Sequence, residues 1–135
     1  MLSAPNRKRS PVQIKGCGVD LIEVARIAGA IKKEKFRQRV YTARERHELK
    51  TKRAESWAAR FAAKEAVMKA LGRGFGQGVS FLDIEISQDE WGKPQVHLQG
   101  RTLKLAETLG VGQLFLSLSH TKDLAIAYVI ALGEE

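Results

Sequence analysis

RFAAKEAVMKALG, residues 60–72, is an alanine-rich stretch whose larger apolar residues recur at helical spacing. Together with Trp57 one turn upstream, Phe61, Met68 and Leu71 fall within one arc at about 100° per residue, which predicts a packed helix from roughly Glu55 to Leu71. Gly72 ends it, because glycine adopts the left-handed backbone beyond a helix C-terminus most easily. Three ionisable residues interrupt this stripe. Lys64 lies inside the arc, while Glu65 and Lys69 sit on its edge one turn apart. A charge buried without a partner costs on the order of several kcal/mol, so Glu65 should meet a cation, a metal or a set of donors. Two readings follow. Glu65 and Lys69 form an ordinary i, i+4 pair on a solvated edge, or the alanines leave room for a ligand, Glu65 holds a divalent cation and the lysines face phosphate. Periodicity alone leaves both open.

Upstream, TARE at 42–45 fits a capping box, with Thr42 accepting from first-turn amides and Glu45 reaching back, so a helix should start there. QIKGCGVD, residues 13–20, reads as a short strand whose two glycines let another backbone or a ligand come close. Asp20 falls at the end of that strand, where it either caps the next helix or carries chemistry. From about Glu23, Val24, Ile27, Ala28 and Ile31 recur at helical spacing, with Arg26, Lys32, Lys33 and Lys35 largely outside the stripe. This predicts an amphipathic helix with a basic outer face. Cys17 reads as packing.

Downstream, GRGFGQG (72–78) is expected to be a flexible loop, and it contains neither the dinucleotide-binding nor the P-loop pattern. SFLDIEISQ and KPQVHLQG flank the turn-rich DEWGKP and read as a β-hairpin. RTLKLAETLG is a short helix closed by Gly110. QLFLSLSH and LAIAYVIAL then form two strands across the turn at HTKD. Strand, helices, hairpin, helix and hairpin in that order predict an α+β fold with a mainly antiparallel sheet and packed helices. There is no internal repeat.

The 135 residues suit one domain, with 13–135 as its body and 1–12 as a basic N-terminal extension expected to be disordered. No apolar run is long enough to cross a bilayer as a helix, and the basic N-terminus lacks the apolar core of a secretory signal. The single cysteine excludes an intrachain disulfide and a multi-cysteine zinc site, so a cytoplasmic location is expected. A net charge of +8 and a pI near 9.9 favour an acidic partner.

GVDLIEVARI, FAAKEAVMKALGRG, FLDIEI and SLSHT, in this order over about 110 residues, resemble the holo-acyl-carrier-protein synthase family of 4′-phosphopantetheinyl transferases. The resemblance runs from Gly16 to Leu132. It implies transfer of phosphopantetheine from coenzyme A to a serine of apo acyl carrier protein, with 3′,5′-ADP released, in support of fatty acid biosynthesis. By the same resemblance Asp20 and Glu65 are the metal pair for Mg²⁺, with Mn²⁺ as the alternative. Two carboxylates without a histidine cluster suit Mg²⁺, which takes its remaining ligands from phosphate and water. The resemblance also implies that Lys64 and Lys69 match the family's lysine pair, with Lys69 favoured to touch the coenzyme A phosphates and Lys64 open to a structural role. Gly72, Gly74, Ser119, His120 and Thr121 would line the coenzyme A site. Asp20, Glu65, Lys69 and His120 form the catalytic set, and the base that takes the serine proton is open among a carboxylate, a metal-bound water and His120. Arg26, Lys32, Lys33, Lys35, Phe36 and Arg37 would dock the acidic carrier. The family further implies a homotrimer with interfacial sites, in which Arg44 and Arg53 reach a neighbour's coenzyme A.

Two other functions compete with this one. A nucleic-acid-binding module is motivated by the basic clusters, but the chain has few aromatic residues and no nucleic-acid motif, so no nucleic acid is expected. A magnesium-dependent phosphohydrolase would use Asp20 and Glu65 with water as the nucleophile.

Overall fold

Residues 11–134 are described in the computed structural model. The chain runs through β1 (Val12–Glu23), α1 (Val24–Ala30), α2 (Glu34–Val40), α3 (Ala43–Leu49) and α4 (Ala54–Leu71), then β2 (Ile84–Gln88), β3 (Pro94–Leu98), α5 (Gly100–Thr108), β4 (Gln113–His120) and β5 (Leu124–Glu134). β1, β5 and β4 form an antiparallel sheet in that order, and β2 and β3 form a separate antiparallel hairpin. The fold is α+β, as the order of apolar patterns predicts.

α4 is the spine of the core. Trp57, Phe61, Val67, Met68 and Leu71 are buried along it, and so are Ala58, Ala59, Ala62, Ala63, Ala66 and Ala70. Burying each large side chain contributes about 1.5–3 kcal/mol, and the alanines let the helix come close to the sheet. Gly16 and Gly18 complete that approach from the other side. A Cβ at residue 16 would lie 2.0 Å from the Ala70 carbonyl oxygen, and one at residue 18 would lie 2.1 Å from that of Ala66. The two glycines therefore admit a helix backbone rather than a ligand. On β5 the residues facing α4 are small as well, with Ala125, Ala127, Val129 and Ala131 all buried.

The capping box forms. Glu45 N donates to Thr42 Oγ1 at 3.2 Å, and Thr42 N donates to Glu45 Oε1 at 2.8 Å. Gly72 caps α4 with φ 71°, a left-handed backbone that suits glycine.

Four expectations need correction. β1 does not stop at Asp20: Leu21, Ile22 and Glu23 continue the pairing with β5, because buried Ile22 belongs to the core face. The cap of α1 is Glu23, without a side-chain bond, so Asp20 is no helix cap. The basic helix is two helices, broken at 31–33, where Lys33 turns extended at ψ 122°. Arg37 Nη1 spans the break by donating to the Ile31 carbonyl. Finally, the first strand of the β2–β3 hairpin starts only at Ile84, after a single 3-10 turn at Phe81–Asp83. The extension at 1–12 lies outside the described residues for its first ten positions, and Val12 already pairs with Glu134.

Candidate active site

Strand alternation puts Gly18, Asp20 and Ile22 on the face of β1 that meets α4, while Val19 and Leu21 face the other way and are exposed. The missing side chain at residue 18 also makes room for a neighbour, because a Cβ there would lie 2.9 Å from Lys69 Cβ. Lys69 passes over this gap. Its Nζ donates to Val19 O at 2.9 Å and to Asp20 Oδ1 at 3.1 Å, closing an ion pair whose side chains are 54% and 16% exposed. Lys69 thus bridges to β1 instead of closing an i, i+4 ion pair with Glu65.

Glu65 lies one turn earlier on α4 and is half-buried. Burial raises its pKa above the ordinary carboxylate range and the Asp20 charge adds to the effect, while Lys69 and Arg26 pull it back. Two carboxylates close enough to repel, one of them partly desolvated, form a place that favours added positive charge. No group of three or more histidine, cysteine, aspartate or glutamate side chains arranged for a metal occurs among the described residues. Asp20 and Glu65 fit a hard cation that completes its shell with phosphate oxygens and water, as Mg²⁺ does.

A second feature lies toward the start of α4. A cavity of about 290 Å³ is lined by Lys52, Ala59 and Arg60 together with Leu49, Leu118 and His120. Arg60 is nearly buried, and its Nη1 donates to Glu48 Oε1 at 2.8 Å and to Ile86 O at 3.0 Å. Along the helix Arg60 and Lys69 are about 13 Å apart, and neither Asp20, Glu65 nor Lys69 lines the cavity.

Residues 16–129 match the 4′-phosphopantetheinyl transferase superfamily. Holo-[acyl-carrier-protein] synthase of Ruminiclostridium cellulolyticum is 45% identical over 123 residues, covering 87% of this chain and 92% of that protein. The synthase of Clostridium acetobutylicum is 47% identical over 120 residues, covering 87% and 96%. The Helicobacter pylori holo-[acyl-carrier-protein] synthase in complex with coenzyme A superposes with a TM-score of 0.77 at 36% identity, covering 85% of this chain and 98% of that one. The chain belongs to the 4′-phosphopantetheinyl transferase superfamily.

In this transferase the residues singled out by sequence divide into those the fold brings together and those it does not. Asp20, Glu65 and Lys69 converge, with Arg26 exposed on α1 but close enough to act on Glu65. Lys64 does not join them, which corrects its placement beside coenzyme A. Its ammonium is fully buried and donates to Glu45 Oε1 at 2.6 Å, Val40 O at 2.7 Å and Phe81 O at 2.9 Å. All three N–H donors are used, so none faces a phosphate. Burial lowers the Lys64 pKa and Glu45 opposes that shift.

The SLSHT end is also divided. His120 lines the cavity beside Leu118, whereas Ser119 lies on the opposite face of β4. Thr121 Oγ1 accepts from Asp123 N and Leu124 N at 3.2 and 3.1 Å, so it shapes the turn while its O–H stays available as a donor. Gly72 and Gly74 are exposed just beyond Lys69, and Gly74 N donates to Gln77 Oε1 at 2.7 Å. Arg44 contacts Glu48 at 3.5 Å and Glu85 at 3.6 Å on its own surface, and Arg53 is the exposed N-cap of α4.

Of the carrier-docking set, Lys32, Lys33 and Lys35 are exposed, and Arg37 is committed to the Ile31 carbonyl. Phe36 packs at a tilt on Phe61 with ring centroids 6.0 Å apart, one helical turn before Glu65 on α4. Arg60 was missed by sequence reading. Its signal was the one that singled out Lys64, a cation on the buried side of an alanine-rich helix, four residues earlier.

Proposed function

We propose that the protein transfers 4′-phosphopantetheine from coenzyme A to a serine of an apo acyl carrier protein, in the cytoplasm and in support of fatty acid biosynthesis. The observation that carries this reading is the Asp20–Lys69 pair beside a raised Glu65, at a β1–α4 contact built on Gly16 and Gly18. Superfamily membership supports it, as do relatives named holo-[acyl-carrier-protein] synthase and one solved with coenzyme A. In the reaction the serine oxygen bonds to the phosphorus that carries pantetheine. The bond from that phosphorus to the bridging oxygen breaks, the serine proton passes to a base, and 3′,5′-ADP leaves.

Such a transfer depends on positioning and on neutralising phosphate charge. Asp20 and Glu65 would hold Mg²⁺, with Mn²⁺ as its substitute, and the ion would supply positive charge against the phosphates. Lys69, exposed at the same place, reaches a phosphate oxygen by rotating its side chain. His120 and Arg60 bind the nucleotide end in their cavity. Arg26, Lys32, Lys33 and Lys35 attract the acidic carrier electrostatically, and Phe36 seats it next to Glu65.

The working assembly is a homotrimer with shared sites. Two facts support it: the carboxylate cluster and the His120 cavity lie apart in one chain, and the sheet face away from α4 exposes Val19, Leu21, Phe115, Ile126 and Tyr128. Covering this apolar face with two further copies would bring one copy's cavity to another's carboxylates. No helix among the described residues is long and apolar enough to cross a membrane.

Intact-mass spectrometry of an apo acyl carrier protein incubated with the protein, coenzyme A and Mg²⁺ tests the reaction. The expected result is a gain of one phosphopantetheinyl group that a chelator prevents. An unmodified carrier across several bacterial carriers, with coenzyme A intact, overturns the reading.

A further inference from the structure

Lys69 is already bound to an anion before any substrate phosphate arrives. Its Nζ holds Asp20 Oδ1 at 3.1 Å and Val19 O at 2.9 Å, which leaves one of its three N–H groups free of those two acceptors. Among the described residues it is the one cation in ion-pair contact with Asp20. The pair can be exchanged. Its lysine is 54% exposed on a flexible stem, and exposed pairs of this kind add only a factor of about 1.5 to 5 to an equilibrium. Asp20 therefore faces two competitors for one carboxylate, the ammonium and a divalent cation shared with Glu65. Lys69 in turn faces two anions, Asp20 and a phosphate.

We propose that Lys69 is a shared counter-ion: it shields Asp20 from divalent cations in the free protein and releases that carboxylate when it moves to the pyrophosphate of coenzyme A. The inference rests on the metal pair of the proposed function and goes beyond it. It makes Lys69 a negative element for cation binding alone and a positive one for cation and coenzyme A together. By linkage, coenzyme A then tightens cation binding by the factor by which the cation tightens coenzyme A binding. Part of that factor is direct contact between cation and phosphate, and part is the removal of Lys69 from Asp20.

The test is the affinity of the full chain for Mn²⁺, read as free Mn²⁺ by electron paramagnetic resonance without carrier protein, so that no turnover occurs. Lys69→Met and Lys69→Gln are compared with wild type, with and without coenzyme A. Arg26→Met serves as the field control, because Arg26 acts on Glu65 but makes no ion pair with Asp20. Without coenzyme A, both Lys69 variants are expected to bind Mn²⁺ about two- to fivefold more tightly than wild type, with Arg26→Met below about twofold. With coenzyme A the advantage shrinks, so the gain that coenzyme A gives to Mn²⁺ binding is smaller in the Lys69 variants. Unchanged or weaker Mn²⁺ binding in both Lys69 variants overturns the proposal, and so does an equal gain in Arg26→Met, which would mark a general field effect. Those outcomes leave the transferase reading intact. Absence of Mn²⁺ binding to wild type even with coenzyme A removes the metal pair itself, and the inference with it.

Discussion

Lys64 Nζ lies 2.6 Å from Glu45 Oε1, and both side chains are fully buried. Glu45 also closes the capping box of α3, accepting from Thr42 N, and its second oxygen accepts from Ile86 N at 2.9 Å on β2. One ion pair thus ties α4, α3, the end of α2 and β2 together. Removing one partner leaves an uncompensated buried charge, which costs about 3–5 kcal/mol. Lys64→Met is expected to lower unfolding free energy by that amount in urea titrations, and Glu45→Gln on the Lys64→Met background to cost at least about 1 kcal/mol less than on wild type. Additive losses would show that the two side chains do not act as a pair.

The glycine contact gives two changes of opposite sign. Gly18→Ala forces a methyl within 2.1 Å of the Ala66 carbonyl and 2.9 Å of Lys69 Cβ, so β1 and α4 must separate. Overpacking of this kind costs about 1–3 kcal/mol, and the displacement of Asp20 from Lys69 should depress transfer further than the loss of stability explains. Gly29→Ala, inside α1 with nothing within 4 Å of the new methyl, should instead stabilise by about 0.5–1 kcal/mol. Thermal melts and transfer rates on both variants check the pair, and a destabilised Gly29→Ala would contradict the open space described there.

The sequence carries the elements better than their meeting points. The Thr42–Glu45 box and the Gly72 cap depend on residues within one turn, and both are present as read. Angular position on α4 also separates Lys64 from Lys69, because helical phase is local information. What Lys64 meets is not local: Glu45 is 19 residues away and Phe81 is 17. The role of Gly16 and Gly18 was equally undecidable from the strand alone, since the backbone that needs the space belongs to a helix some fifty residues later. The break at 31–33 leaves no mark in the pattern, because Ile27 and Ile31 keep helical spacing through it. The buried Val40 and the packing of Phe36 on Phe61 give the second helix its own face.

Glu65 sets function against stability. Burial first and the Asp20 charge second hold its carboxyl above the usual range, so the folded protein holds that proton more tightly than the unfolded chain does. Ionised Glu65 therefore weakens the free protein, and this cost is absent below the ordinary glutamate pKa and grows as pH rises through the raised value. Glu65→Gln should melt at a higher temperature than wild type at neutral pH without Mg²⁺, and the difference should close toward pH 4, near the ordinary glutamate value. The same change, like Asp20→Asn, should cost transfer about a hundredfold or more, as the loss of an electrostatic group aimed at developing charge does. A Glu65→Gln variant that melts below wild type at every pH would refute the electrostatic account.

His120 and Ser119 are neighbours in sequence on opposite faces of β4, which makes them a matched pair of tests. His120→Ala should raise the KM for coenzyme A about tenfold or more, the loss of a hydrogen bond to a charged group, and leave the KM for the carrier unchanged. Ser119→Ala should leave the KM for coenzyme A unchanged. The opposite pattern would place the nucleotide on the outer sheet face instead of in the cavity.

If the carboxylates of one copy serve the cavity of another, two defective chains can repair each other. Asp20→Asn keeps its cavity, and His120→Ala keeps its carboxylates. Co-expressed in equal amounts and assayed at coenzyme A below the raised KM, they form trimers in which each interface pairs an intact carboxylate cluster with an intact cavity about one time in four. Activity should therefore recover to about a quarter of wild type, whereas two groups working within one chain would give no recovery at all. Tyr128→Glu supplies the complementary arm: Tyr128 is exposed on the apolar sheet face, and a charge there should be intolerable once the face is covered. Sedimentation should show the variant as a folded monomer with transfer lost. A Tyr128→Glu protein that sediments with wild type and retains activity would rule this face out as the interface, and failed complementation would return both groups to a single chain.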